Sequence, residues 1–123
     1  MKILAALFFL IVSAKNCGEK KMDGTLYKGV LEIKALCMNY TIRLTEGKID
    51  TSMIAATWSD EHTGKSYVNV FGLSNPCDFP ASIKQGDEFY FSVESTKSEK
   101  DCIVCMAYYP TPPKRLSIKI IPK

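Results

Sequence analysis

Apolar and polar residues alternate with a period of two over much of this chain, and that alternation constrains the fold more than any motif does. Met38, Tyr40, Ile42 and Leu44 fall on one side of an extended chain and Asn39, Thr41, Arg43 and Thr45 on the other, the pattern of a strand with one buried face. Just upstream, Leu31, Ile33 and Ala35 alternate with Glu32 and Lys34 in the opposite phase. A phase flip at Leu36-Cys37, with no glycine or proline to turn the chain, implies either a bulge in one long bent strand or a tight corner between two strands. No helical stripe of three turns is present.

The same period recurs downstream. Met53 to Trp58 reads as a strand, "SDEHTGKS" as a polar turn, and Tyr67 to Phe71 as the returning arm of a hairpin. "GLSNPCDFP" is an irregular loop held by prolines, "KQGD" is a turn, and Glu88 to Glu94 is a strand with Phe89, Phe91 and Val93 on one face. The charged stretch "STKSEKD" is expected as a solvated loop, "CIVCMAYY" as a strand and "PTPPKR" as a rigid extended connection. Leu116, Ile118 and Ile120 form the last strand. About six or seven short strands separated by turns are the pattern of an all-β barrel or sandwich.

The chain opens on "MKILAALFFLIVSA", with Lys2 before an apolar run and small residues at its end. That is a secretory signal peptide over residues 1–14, too short to span a membrane, and it leaves residues 15–123 as one secreted all-β domain. No second apolar stretch is long enough to be transmembrane. The formal charge of +3 falls by one when Lys2 is removed, and no polybasic run marks nucleic acid as a partner. In an oxidising compartment the five cysteines, Cys17, Cys37, Cys77, Cys102 and Cys105, are expected to form two disulfides and leave one thiol over. That thiol is either free or paired to another chain in a disulfide-linked dimer. Asn39-Tyr40-Thr41 is a glycosylation sequon.

Catalytic groups are scarce. The single histidine, His62, falls in a hairpin turn among Asp60, Glu61 and Thr63, a solvated position rather than a rigid scaffold for a triad. The Cys102/Cys105 spacing lacks the helix that a redox pair uses and the second ligand pair that zinc needs. On a strand these two cysteines point to opposite faces, so they are expected to staple different partners. The carboxylate pairs Asp60-Glu61 and Asp87-Glu88 occupy turn positions and read as solvated. No enzyme, cofactor or metal is expected. Lys114, Arg115, Lys119 and Lys123 gather near the C-terminus, either as a strip for an acidic partner or as a lysine-protected edge strand. Tyr108 and Tyr109 read as packing at a strand end, with an aromatic contact patch as the alternative.

Cys17 near the mature N-terminus, "NYTIRL", "YVNVFGLSNPC" ending at Cys77, "GDEFYFSVE" and "DCIVC" follow one another in an order that resembles a netrin-like module. This is the OB-type barrel that also forms the inhibitory domain of tissue inhibitors of metalloproteinases. The resemblance implies a disulfide from Cys17 to Cys77, with Cys37 bonded to Cys102 or Cys105. It also implies a working edge formed by Cys17, Gly18 and Glu19 beside Asp78 and Phe79, through which an extracellular protein, most specifically a metalloprotease, is bound. Members that inhibit chelate zinc through a first-position cysteine in a Cys-x-Cys start. Here Cys17-Gly18-Glu19 lacks the second cysteine, and cleavage after Ala14 leaves Lys15 and Asn16 ahead of the chelating amine.

The expectation is thus a disulfide-stapled OB-like barrel, secreted and acting by binding another protein. An immunoglobulin-like or other β-sandwich is the alternative fold, although Trp58 lacks the flanking cysteine spacing of true immunoglobulin domains. A carrier of lipid or another apolar ligand, and a secreted defence or venom component, are the alternative functions.

Overall fold

The computed structural model describes residues 25–95, 102 and 106–122. The expected leader, Cys17, Gly18, Glu19 and Cys105 lie outside the described residues. Seven strands form one sheet: β1 (Tyr27–Ala35), β2 (Asn39–Glu46), β3 (Ala55–Ser59), β4 (Ser66–Leu73), β5 (Glu88–Val93), β6 (Arg115–Leu116) and β7 (Ile118–Ile121). They are hydrogen-bonded in the order β3-β4-β2-β1-β5-β7, with β6 off that path beside β4. Every pairing is antiparallel except β6 with β4, which is parallel. The sheet is open.

Of the two ways to reverse phase at Leu36-Cys37, the chain uses the corner. Leu36–Met38 is a single 3-10 turn in which Cys37 (φ 56°) and Met38 (φ 59°) both take the left-handed conformation that non-glycine residues seldom adopt. The corner lets Leu31 of β1 face the same core as Ile42 and Leu44 of β2. A separate register shift between Leu31 and Ile33 bends β1, whose first half pairs with both β2 and β5. Gly29 sits in that half. A Cβ there would lie 3.0 Å from the Arg43 carbonyl oxygen and 3.0 Å from the Phe91 ring, so only glycine admits this approach.

β1, β2, β4, β5, β6 and β7 all send side chains into one apolar cluster. Phe91 is its centre, fully buried with its ring 5.5 Å from Tyr27, 5.9 Å from Phe71 and 5.8 Å from Phe89. The expected alternation of Phe89, Phe91 and Val93 is therefore real, and these are core residues. Asn75 is buried with them. Its side-chain amide donates to the Ile118 carbonyl at 2.8 Å and its oxygen accepts from the Ile118 amide at 3.0 Å, pinning the loop after β4 onto β7.

Thr41 stands apart from this satisfied interior. It is fully buried on β2, and its hydroxyl has no hydrogen-bond partner. An unpaired buried hydroxyl costs free energy that a methyl in its place does not. Thr41→Val is expected to stabilise the protein by about 1 kcal/mol, the low end of that cost, as read from denaturant midpoints. A destabilised variant would mean that the hydroxyl has a partner in solution.

Two expectations fail in the C-terminal third. "CIVCMAYY" is not a strand at any of its described residues, Cys102 and 106–109. Side-chain tethers hold this segment instead of a ladder: Asn39 Nδ2 donates to the Ala107 carbonyl at 3.1 Å, and the Tyr109 hydroxyl donates to Asp60 at 3.1 Å. The final strand is also two short pieces rather than one. β6 lies on β4, β7 lies on β5, and Ser117 alone separates them.

The disulfide assignment is corrected as well. Cys77 is bonded to Cys102, with Cα atoms 5.5 Å apart, and so is not the partner of Cys17. Cys37 is also disulfide-bonded, and the Cys77–Cys102 bond excludes Cys102 as its partner. Cys102 and Cys105 do not pair with each other, as expected, although not because a strand separates their faces.

Candidate functional site

The most organised polar site is built on the β3–β4 turn. Asp60 leaves β3 with its carboxylate fully buried. One oxygen accepts the His62 backbone amide at 2.8 Å, the turn-forming bond that aspartate makes two residues ahead, and the other accepts the Tyr109 hydroxyl at 3.1 Å. The Asp60 amide donates to the Lys65 carbonyl at 2.8 Å, and Gly64 donates back to the Asp60 carbonyl at 2.7 Å. The pairing of Asp60 and Glu61 as solvated turn carboxylates is thus half right. Glu61 is exposed and accepts the Tyr108 hydroxyl at 3.2 Å, whereas Asp60 is the buried anchor of the turn.

His62 is exposed, as its turn position implies, with its ring 5.0 Å from that of Tyr109. Tyr67 stacks on Trp58 at 5.9 Å and carries Lys65 over its face. Between this turn and the far end of β1 opens a pocket of about 560 Å³, lined among others by Glu32, Leu36, Asp60, Tyr67, Gln85 and Tyr109. Its lower rim is fixed by Lys34, whose ammonium donates to the Ala81 and Ile83 carbonyls at 3.2 and 2.8 Å. Glu32 is held by Arg43 across the β1–β2 ladder.

The Tyr109 phenol is pushed above its ordinary value of 10.0 by partial burial, by its hydrogen bond to Asp60 and by the charge of that carboxylate. A phenol whose proton is held more tightly in the folded state stabilises that state fully below pH 10.0. The contribution is lost as pH rises through the folded value. Phenolate absorbance of the folded protein should therefore show late titration shared by Tyr67, Tyr108 and Tyr109, all three of which are raised with Asp60 among the causes. Asp60→Asn, which keeps an acceptor and removes the charge, should bring that titration down. An unchanged profile would place the Tyr109 hydroxyl elsewhere.

Three large apolar side chains are exposed on segments that reach this pocket through Leu36 and Tyr109. Leu36, Met106 and Tyr108 are 55%, 93% and 76% exposed. Asn39 holds their segments together, donating to the Leu36 carbonyl at 3.0 Å and the Ala107 carbonyl at 3.1 Å. Both hydrogens of the sequon amide are engaged in this way, so a glycan on Asn39 would displace one of the two bonds.

The other candidate residues have structural work. Asp78 accepts the Asn75 amide at 3.1 Å, and Phe79 packs half-buried between Tyr40 and Phe89 at 5.7 and 5.5 Å. The structure places both in the loop after β4, while Cys17, Gly18 and Glu19 lie outside the described residues. Lys114 reaches the Thr51 and Ser52 carbonyls and Arg115 reaches Thr111 and Leu73, so two members of the basic strip are tethers. Asp87 caps the Lys84 amide, and Glu88 pairs with Lys28.

Among the described residues no group of three or more His, Cys, Asp or Glu is placed to hold a metal ion, and no helix is long and apolar enough to cross a membrane. No family model, no curated protein and no solved structure matches the chain. The fold and site define an open antiparallel β-sheet protein stapled by a disulfide, with a tethered aromatic segment beside a polar pocket.

Sequence reasoning missed the burial of Asp60 and the role of Leu36. The aspartate before "EHTG" was the available signal for the first, since an Asx turn needs its side chain folded inward. Leu36 carried no signal, because its exposure follows from the left-handed corner beside it.

Proposed function

We propose that this chain is a secreted, non-enzymatic protein-binding module that engages its partner with the Leu36, Met106 and Tyr108 surface beside the pocket. The observation that carries this is their adjacency. Single exposed apolar side chains are ordinary on any protein, but here three large ones are carried on two segments that the Asn39 amide joins, with the Asp60–Tyr109 bond and the Cys77–Cys102 staple as further restraints. A surface ordered in advance loses less entropy when a partner closes over it. The interior is filled by Phe71, Phe91, Leu31 and Ile42, which favours binding at the surface over carriage of an apolar ligand inside. Disulfides at Cys77, Cys102 and Cys37 suit an oxidising, extracellular location.

The finer fold is proposed to be an OB-like barrel. The pairings support a ring of five staves: β1 to β2, β2 to β4, β4 to β6, then across Ser117 to β7, β7 to β5, and β5 back to β1. Closure runs through the continuous chain at Ser117 rather than through a ladder. This order supports the resemblance to netrin-like modules. The metalloprotease-inhibitor version keeps that support but loses the Cys17 to Cys77 tether on which its working edge depended.

The binding proposal is tested by replacing Leu36 and Met106 with glutamate. Wild type immobilised in extracellular fluid of its source should retain a defined partner, and the double variant, folded by circular dichroism, should retain at least tenfold less. Equal retention contradicts the assignment of this surface. Titration of an active zinc metalloprotease separately decides the inhibitory version, which requires stoichiometric loss of peptide hydrolysis.

A further inference from the structure

The sheet ends on two strands that are protected very differently. β7, at one end of the order, carries Lys119 within it and Pro122 directly after it, both of which discourage pairing with another chain. β3, at the other end, reads Ala55-Ala56-Thr57-Trp58-Ser59, with no charge and no proline. Ala56, Thr57 and Ser59 are exposed, and no described segment pairs with its outer edge. Unpaired backbone amides and carbonyls along such an edge are a template for one more strand.

We infer that the outer edge of β3 pairs antiparallel with β3 of a second copy of this chain, on a two-fold axis through Thr57. This interface is separate from the Leu36, Met106 and Tyr108 surface. A two-fold axis requires that the strand complement itself, and β3 does. With Thr57 opposite Thr57 of the second copy, Ala56 faces Trp58, and Ala55 faces Ser59. The small Ala56 leaves room for the indole, which already stacks on Tyr67 within its own hairpin. On the opposite face Thr57 is the cross-strand neighbour of Val68, which is 53% exposed. Pairing extends these into a stripe of Val68, Thr57, Thr57 and Val68 across four strands, covering apolar surface from both copies.

At long range the formal charge of +3, one less in the mature chain, makes two copies repel weakly, an effect that salt screens. At contact, however, the uncharged strand brings no like charges face to face, which is what a self-pairing edge requires. The strand is only five residues long, so the buried area falls below the roughly 800 Å² per partner of a standard stable interface. The dimer is accordingly concentration-dependent.

The register gives the test. Sedimentation velocity on the full mature chain should show wild type moving from one-chain to two-chain mass as concentration rises. Thr57→Lys and Thr57→Glu, each placing like charges opposite one another, should remain one-chain mass at every concentration, with circular dichroism unchanged because Thr57 is exposed. An equimolar mixture of the two variants should recover the two-chain species through a lysine–glutamate pair. Wild type that stays monomeric, including one whose β3 captures an extended peptide instead, overturns the inference. So does Thr57→Lys that dimerises as wild type does, a mixture that fails to associate, or a dimer that survives on non-reducing denaturing gels and is lost when reductant is added.

Discussion

Phe91→Ala is expected to lower stability by about 3–5 kcal/mol, the range for deleting a buried aromatic ring from a packed core. The prediction rests on position. Phe91 is fully buried, contacts Tyr27, Phe71 and Phe89 through its ring, and pairs across the sheet with both Tyr27 of β1 and Ile120 of β7. The cavity left behind cannot collapse easily, because Gly29 already brings the β1 backbone against the same ring. Phe79→Ala, which removes a half-buried ring at the edge of the cluster, should cost clearly less. Chemical denaturation of the two variants beside wild type checks both. A loss below about 1 kcal/mol for Phe91→Ala would mean that the core is not organised around this side chain.

Removing the Cys77–Cys102 disulfide should cost about 3.5 kcal/mol, the loop-closure entropy for a sequence separation of 25 residues. The double variant Cys77→Ala/Cys102→Ala is the informative one, since a single replacement leaves a thiol that can exchange with the other cysteines. Besides global stability, the bond restrains the approach to residues 106–109. Its loss leaves the Asn39, Asp60 and Glu61 contacts to hold Tyr108 and Met106 in place. Partner binding should therefore weaken in the double variant under conditions where it remains folded. An unchanged denaturation midpoint would contradict the structural role given to this staple.

Where the sequence was informative, it was so through period and turn chemistry. Ile42 and Leu44, and Phe89, Phe91 and Val93, are strands because their alternation leaves one face to bury, and the structure buries that face; the hairpin expected from Met53 to Phe71 also forms, as β3 and β4, but buries only Ala55 and the end of β4 from Val70 on. "CIVCMAYY" alternates too weakly to separate a ladder from an extended tether. The choice is made by Asp60 and Asn39, residues far away in the chain that reach it with side chains. Period alone does not register such contacts. The cysteines illustrate a different limit. Five cysteines permit several pairings, and the implied bond from Cys17 to Cys77 followed from resemblance rather than from anything local to either residue. The actual partner of Cys77 is fixed by the loop after β4, where Asn75 binds β7 and holds the Pro76–Asp78 turn toward Cys102.

The candidate site was legible in part. His62 in a turn and Tyr108 with Tyr109 as an aromatic pair were visible in sequence, whereas the carboxylate beneath them was not. A buried aspartate at the start of a turn looks the same in one dimension as a solvated one. Only the three-dimensional return of Tyr109 distinguishes them.

The Cys77–Cys102 bond matters most, because together with the Asn39 amide it holds the aromatic segment beside the corner at Leu36. Peptide mapping of the unreduced protein by mass spectrometry tests it directly. A linked peptide containing Cys77 and Cys102 is the predicted result. A linked peptide containing Cys17 and Cys77 would contradict the account and return the working edge to the N-terminal segment.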